Sequence, residues 1–152
     1  MVMSSLSIAV LVLTASSMVL AQSDVDHGRR IFISARNPVI DDESIPDKEM
    51  EDSVKDLKDN FRKEKDFVVV ESKDEADLVL VVVKREVQQG RPSILAHKTP
   101  RMESHLECAL YYKEAGNWKP GIKLTGRAKY WKDSAFEIKR DAKKWIHESL
   151  PR

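Results

Sequence analysis

Cysteine occurs once in this 152-residue chain, at Cys108, so no intrachain disulfide can staple the fold. Stability must come from burying apolar side chains, and the chain is long enough for one domain with a real core. Glycine is scarce as well. Five residues leave few places for backbone to wrap a phosphate, and no glycine-rich phosphate loop occurs. Gly-x-Ser-x-Gly, Cys-x-x-Cys and His-Glu-x-x-His are all missing, which removes the common nucleophile-elbow, dithiol and zinc-protease patterns. Asn37, Asn60 and Asn117 each lack a Ser or Thr two positions on, so there is no N-glycosylation acceptor.

Charge is missing where it matters most, at the start. Met1 to Ala21 contains no Asp, Glu, Lys or Arg, and its centre, Ile8 to Leu13, is strongly apolar. Val19-Leu20-Ala21 ends that stretch with side chains a signal peptidase accepts. The expectation is a secretory signal peptide over 1–21, a flexible polar N-terminus over 22–28, and one domain over 29–150. The alternative is retention of the leader as an N-terminal anchor. No Cys stands near the cleavage position, which excludes lipidation there, and no later run is apolar and long enough to span a bilayer.

What the domain does contain is periodicity. Arg30 to Ala35 reads as a strand that ends at Asn37-Pro38. After the acidic stretch Asp41 to Pro46, a helix is predicted from Asp47 to about Lys65, with Met50, Val54, Leu57 and Phe61 on one stripe. Phe67–Val70 is a second strand, and strand, helix, strand suggests a right-handed βαβ unit. Ser72 to Ala76 is a turn. Asp77 to Val87 is apolar on both faces, with Leu78, Leu80 and Val82 on one and Val79, Val81 and Val83 on the other, so it belongs in the middle of a sheet. Residues 88–101 form a long loop carrying Gly90, Pro92 and Pro100. His105 to Tyr112 alternates. Glu114 to Asn117 turns, Trp118 to Lys129 is extended, and Ser134 with Glu137 forms a capping-box pattern opening a last helix. Its stripe is Ala135, Ile138, Ala142, Trp145 and Ile146. The fold class is therefore α+β: one mixed sheet of four to five strands, order β-α-β-β-β-β-α, with two amphipathic helices packed on it.

Opposite charges collect in different places. Asp41 to Asp66 holds 11 acidic and 6 basic residues, a local net of −5; Lys113 to Arg152 holds 11 basic and 5 acidic, a local net of +6. Two readings stand side by side. The basic segment meets an anionic headgroup, polymer or protein patch, or the two helices lie together and neutralise each other. Candidate contact residues are Lys84, Arg85, Arg91, Lys98, Arg101, Lys139, Arg140, Lys143 and Lys144. Lys129-Tyr130-Trp131-Lys132 interleaves cations with aromatics just before the last helix. His105 and Glu107 share a strand face and offer a base with its orienter, or two metal ligands. The plain alternative is two polar residues on the solvent side of an edge strand. Asp24, Asp26 and Gly28 start a calcium-loop spacing that fails for want of the bidentate Glu. Cys108, between Leu106 and Leu110, reads as a small core residue.

Three stretches are familiar together: Asp52 to Leu57, Glu75 to Val82 and the Trp131-to-Trp145 helix. In pattern they resemble small exported bacterial proteins of unassigned role and, more loosely, the βαβ-containing periplasmic domains of envelope assembly and secretion proteins. The resemblance implies an envelope location and a binding or scaffolding role, and it carries no catalytic residue. The expectation is a non-enzymatic, periplasmic or secreted binding module without cofactor, metal or nucleic-acid partner. Its partner would be an envelope protein or an anionic envelope component. The alternatives are a small hydrolase or metal-binding protein using His105 and Glu107, and a structural homo-oligomer joined through a strand edge.

Overall fold

The computed structural model describes residues 28–40, 45–90 and 101–151. The expected signal peptide, nearly all of the flexible N-terminus, Asp41 to Ser44, and Arg91 and Lys98 of the contact set lie outside the described residues.

The elements follow the expected order. They are β1 (Arg29–Ser34), α1 (Lys48–Arg62), β2 (Phe67–Val70), a short 3-10 turn (Lys73–Glu75), β3 (Leu78–Gln89), β4 (Met102–Glu114), β5 (Asn117–Ala128) and α2 (Trp131–Ser149). The strands form one mixed sheet of order β2-β1-β3-β4-β5. β1 runs parallel to β2 and β3, while β3, β4 and β5 form an antiparallel meander.

α1 starts where Asp47 accepts a 2.7 Å bond from the Met50 amide, and Glu49 and Glu51 complement the positive helix start. Val54, Leu57 and Phe61 are buried, as the stripe requires. The helix ends at Arg62, three residues before Lys65, because Phe67 must turn back on Phe61. Their rings meet edge to face at 5.1 Å.

β3 holds the central place its two apolar faces predict, with Leu78, Leu80 and Val82 under the helices and Val79 and Val81 buried on the second face. Val83 departs from the alternation. The β3–β4 register shifts between Val82 and Lys84, and Val83 sits at that irregularity, 56% exposed. β3 also runs further than the sequence suggests. Gln88 pairs with Glu103, Gln89 with Met102, and the Gly90 amide donates to Arg101 O at 2.7 Å, so the connection is shorter than 88–101. On the second face, Asn37 Nδ2 reaches from beyond β1 to the Tyr111 hydroxyl on β4 (2.9 Å). The β4–β5 turn is built on Ala115 (φ +49°) and Gly116 (φ +80°), the left-handed pair that matches strand twist in a two-residue hairpin.

Both helices lie on one face of the sheet, as expected, and share one core with Ile31, Ile33, Leu106, Cys108, Leu110 and Leu124. The capping box is a correction. α2 begins at Trp131, and its N-cap, Tyr130, makes no side-chain cap bond. Ser134 is buried within the first turn and donates to Ser104 O at 2.9 Å, while Glu137 accepts from the Arg127 amide at 2.8 Å. The cause is close contact between helix and strand. A Cβ built on Gly126 would lie 2.1 Å from Ser134 O, so the first turn of α2 rests on the bare backbone of β5. The two ends of the described chain meet, with the Arg29 guanidinium donating to Pro151 O. Among the described residues no helix is long and apolar enough to cross a membrane.

Candidate functional site

The basic residues of α2 fall into two groups. Residues four apart share a helix face, and adjacent residues lie about 100° apart around the axis. Lys139 and Lys143 therefore share one side, and Arg140 and Lys144 share another. The first side meets the end of α1. Lys139 Nζ lies 2.5 Å from Glu64 Oε1, and Lys143 Nζ lies 2.7 Å from Glu64 Oε2 and 2.9 Å from Asp66 Oδ2. His147 Nε2 is 3.7 Å from the same Asp66 oxygen. Lys139 is only 7% exposed. Bonds from Lys139, then Lys143, hold the Glu64 carboxyl down to about 2. The neutralising arrangement of the two helices thus holds for Lys139 and Lys143.

Arg140 and Lys144 face solvent. Among the described residues Arg140 forms an ion pair with its neighbour Asp141, at 2.8 Å. Phe136, 49% exposed, stands one turn before Arg140, and exposed Lys132 one turn before Phe136. Arg101 is exposed at the start of β4. Arg85 is on the helix-bearing face. Its guanidinium lies 4.1 Å from the centre of the Trp131 ring and donates to Glu49 O, tying β3 to the first turns of both helices. That placement makes Arg85 a brace between elements. Lys84 lies on the second face, bonded to Glu86 at 2.8 Å.

His105 and Glu107 lie on the second face too, though not on an edge. β4 is flanked by β3 and β5, and His105 is 4% exposed. Its Nδ1 is 3.2 Å from Glu86 Oε1. Its Nε2 is 3.4 Å from Glu107 Oε1 and has no well-aligned hydrogen-bond partner among the described residues. The carboxylates sit at opposite nitrogens of one ring, so they cannot converge on one ion together with it. Among the described residues no group of three His, Cys, Asp or Glu is placed to hold a metal. Lys84 first and His105 second hold the Glu86 carboxyl down to about 2. Cys108 points into the core. Burial, with a smaller push from Glu107, drives its thiol far above the usual range and keeps it protonated.

The division of the α2 cations has a sequence signal. Lys139 and Lys143 flank the apolar stripe of Ala135, Ile138, Ala142 and Ile146, whereas Arg140 and Lys144 lie opposite it. The partnership of His105 with Glu86 has none, because the two are 19 residues apart and meet only through the β3–β4 register.

No family model matches the chain, and no curated protein matches it. Among solved structures, a hypothetical protein from Chlamydia trachomatis aligns at 6% identity with a TM-score of 0.46, over 82% of this chain and 99% of that one. A likeness of that degree fixes no role for any residue here.

Proposed function

We propose that this protein is a non-enzymatic binding module of the bacterial cell envelope, exported to the periplasm or the medium, that captures an anionic component through the outer side of α2. The observation that carries this reading is the division of the basic set. Lys139 and Lys143 are spent on Glu64 and Asp66, while Arg140 and Lys144 face outward beside a half-exposed Phe136. Outward cations around an exposed ring suit an anionic surface, since the cations steer approach and the ring adds apolar contact. The charge-free leader and the resemblance to exported envelope proteins support the location.

Affinity capture from the envelope fraction of the native host tests the reading. The Arg140→Glu/Lys144→Glu double variant should recover several-fold less of any captured component, while its unfolding midpoint stays near that of the parent. Capture unchanged by the double reversal refutes the basic-surface reading.

A further inference from the structure

Opposite the helices, at the far end of β3 and β4, lies a polar recess of about 350 Å³ lined by Gln88, Gln89, Gly90, Glu103 and Arg127. The sheet register assembles it. Gln88 faces Glu103 across β3–β4, and His105, the next-but-one residue after Glu103, faces Arg127 across β4–β5. Arg127 donates its backbone amide to Glu137, which fixes the strand. Glu103 and Arg127 carry opposite charges and line one recess, yet they make no ion pair with each other, and neither side chain has another partner among the described residues. Gly90 makes room for the acid. A Cβ there would lie 2.9 Å from Glu103 Oε1 and 2.9 Å from Arg101 O, so the missing side chain lets the carboxylate rest against the strand. The Gln88 amide nitrogen is tied to Glu86, which leaves its carbonyl oxygen to accept another bond.

A cation and an anion that face one small space without closing on each other suit a molecule carrying both charges. We propose that this recess binds a small zwitterion of the amino-acid or dipeptide type. The ligand carboxylate would take the Arg127 fork, and its ammonium would take Glu103 with the Gln88 carbonyl. The volume admits a molecule of that size, and each end of the ligand would meet a charge that has no side-chain partner among the described residues. The recess and the outer side of α2 use different side chains, Glu103 and Arg127 in one and Arg140 and Lys144 in the other, so each is tested by its own variants.

The test is an amide NMR titration of the full chain with glycine and glycylglycine, against acetate, methylammonium and N-acetylglycine. Either zwitterion should produce saturable shifts at Gln89, Gly90, Glu103 and Arg127. The single-charge probes should bind about tenfold more weakly or worse, since each forfeits one charge-assisted contact. Arg127→Gln and Glu103→Gln should each weaken the zwitterion by about tenfold or more while the unfolding midpoint holds. Acetate binding as well as glycine would reduce the recess to an anion site and overturn the proposal. So would the absence of saturable shifts with either zwitterion, or either variant binding like the parent.

Discussion

Replacing Glu64 by glutamine removes the one negative charge shared by two lysines. The cost can be worked out from each partner. The Lys139 side chain is 9% exposed and bonds to Glu64 Oε1, so its ammonium would be left nearly buried without a counter-charge. Breaking a buried pair costs about 3–5 kcal/mol. The Glu64 side chain, at 21% exposed, is not fully shielded, which lowers that figure. Lys143 is more exposed and keeps Asp66 at 2.9 Å, so its share is about 0–1 kcal/mol. The carboxyl gives an independent figure. A fall from 4.5 to about 2, at roughly 1.4 kcal/mol per unit, is about 3 kcal/mol before solvent screening. We expect Glu64→Gln to cost about 2–3 kcal/mol in urea unfolding near neutral pH. The pH dependence has a fixed sign. Because the folded carboxyl titrates below the unfolded one, its contribution is complete above about 4.5 and disappears as pH falls through about 2. The gap between parent and variant should therefore close on acidification across that window. Adding Lys139→Met to the variant should recover much of the loss, since no buried charge then remains. A gap below about 0.5 kcal/mol, the scatter of surface substitutions, or one independent of pH, refutes this account.

Three other substitutions and reactions test the packing. Gly126→Ala should cost about 3 kcal/mol or more by thermal unfolding, because its Cβ meets Ser134 O at 2.1 Å and helix and strand must part. Ala115→Asn should stabilise by about 0.5–1 kcal/mol, since asparagine tolerates the positive φ that alanine holds at a cost; a loss of stability would argue against the two-residue turn. Cys108 should resist thiol reagents in the folded protein and react at the rate of global unfolding, read by mass spectrometry across a urea series. Rapid labelling in native buffer would show the β4 core face to be open.

Where a feature depended on local period, the sequence disclosed it. α1 and the two-faced β3 follow from spacing alone, whereas a single stripe per helix fits either sheet face, and only the shared core shows that both helices use the same one. Ser134 and Glu137 show where local reading stops. The same pair that spells a capping box is used instead across space, on Ser104 and Arg127, once Gly126 lets α2 settle on β5. His105 shows it again. Whether a polar residue in alternation faces water depends on the side chains beside it on the same sheet face, here Glu86 across β3–β4 and Glu107 on its own strand, and alternation within β4 does not name them. Lys139 and Arg140 are neighbours in sequence, but one faces α1 and the other solvent, a difference visible only when cations are placed on the same wheel as the apolar stripe.

The contact between Arg29 and Pro151 sets the reach of the molecule. Both ends of the described chain leave from the same side of the sheet, and β3 runs away from them for 12 residues, about 40 Å at strand rise. The β3–β4 tip, with Glu103 and Arg127, therefore stands at the opposite end of the sheet from Arg29 and Pro151, like the head of a short mast.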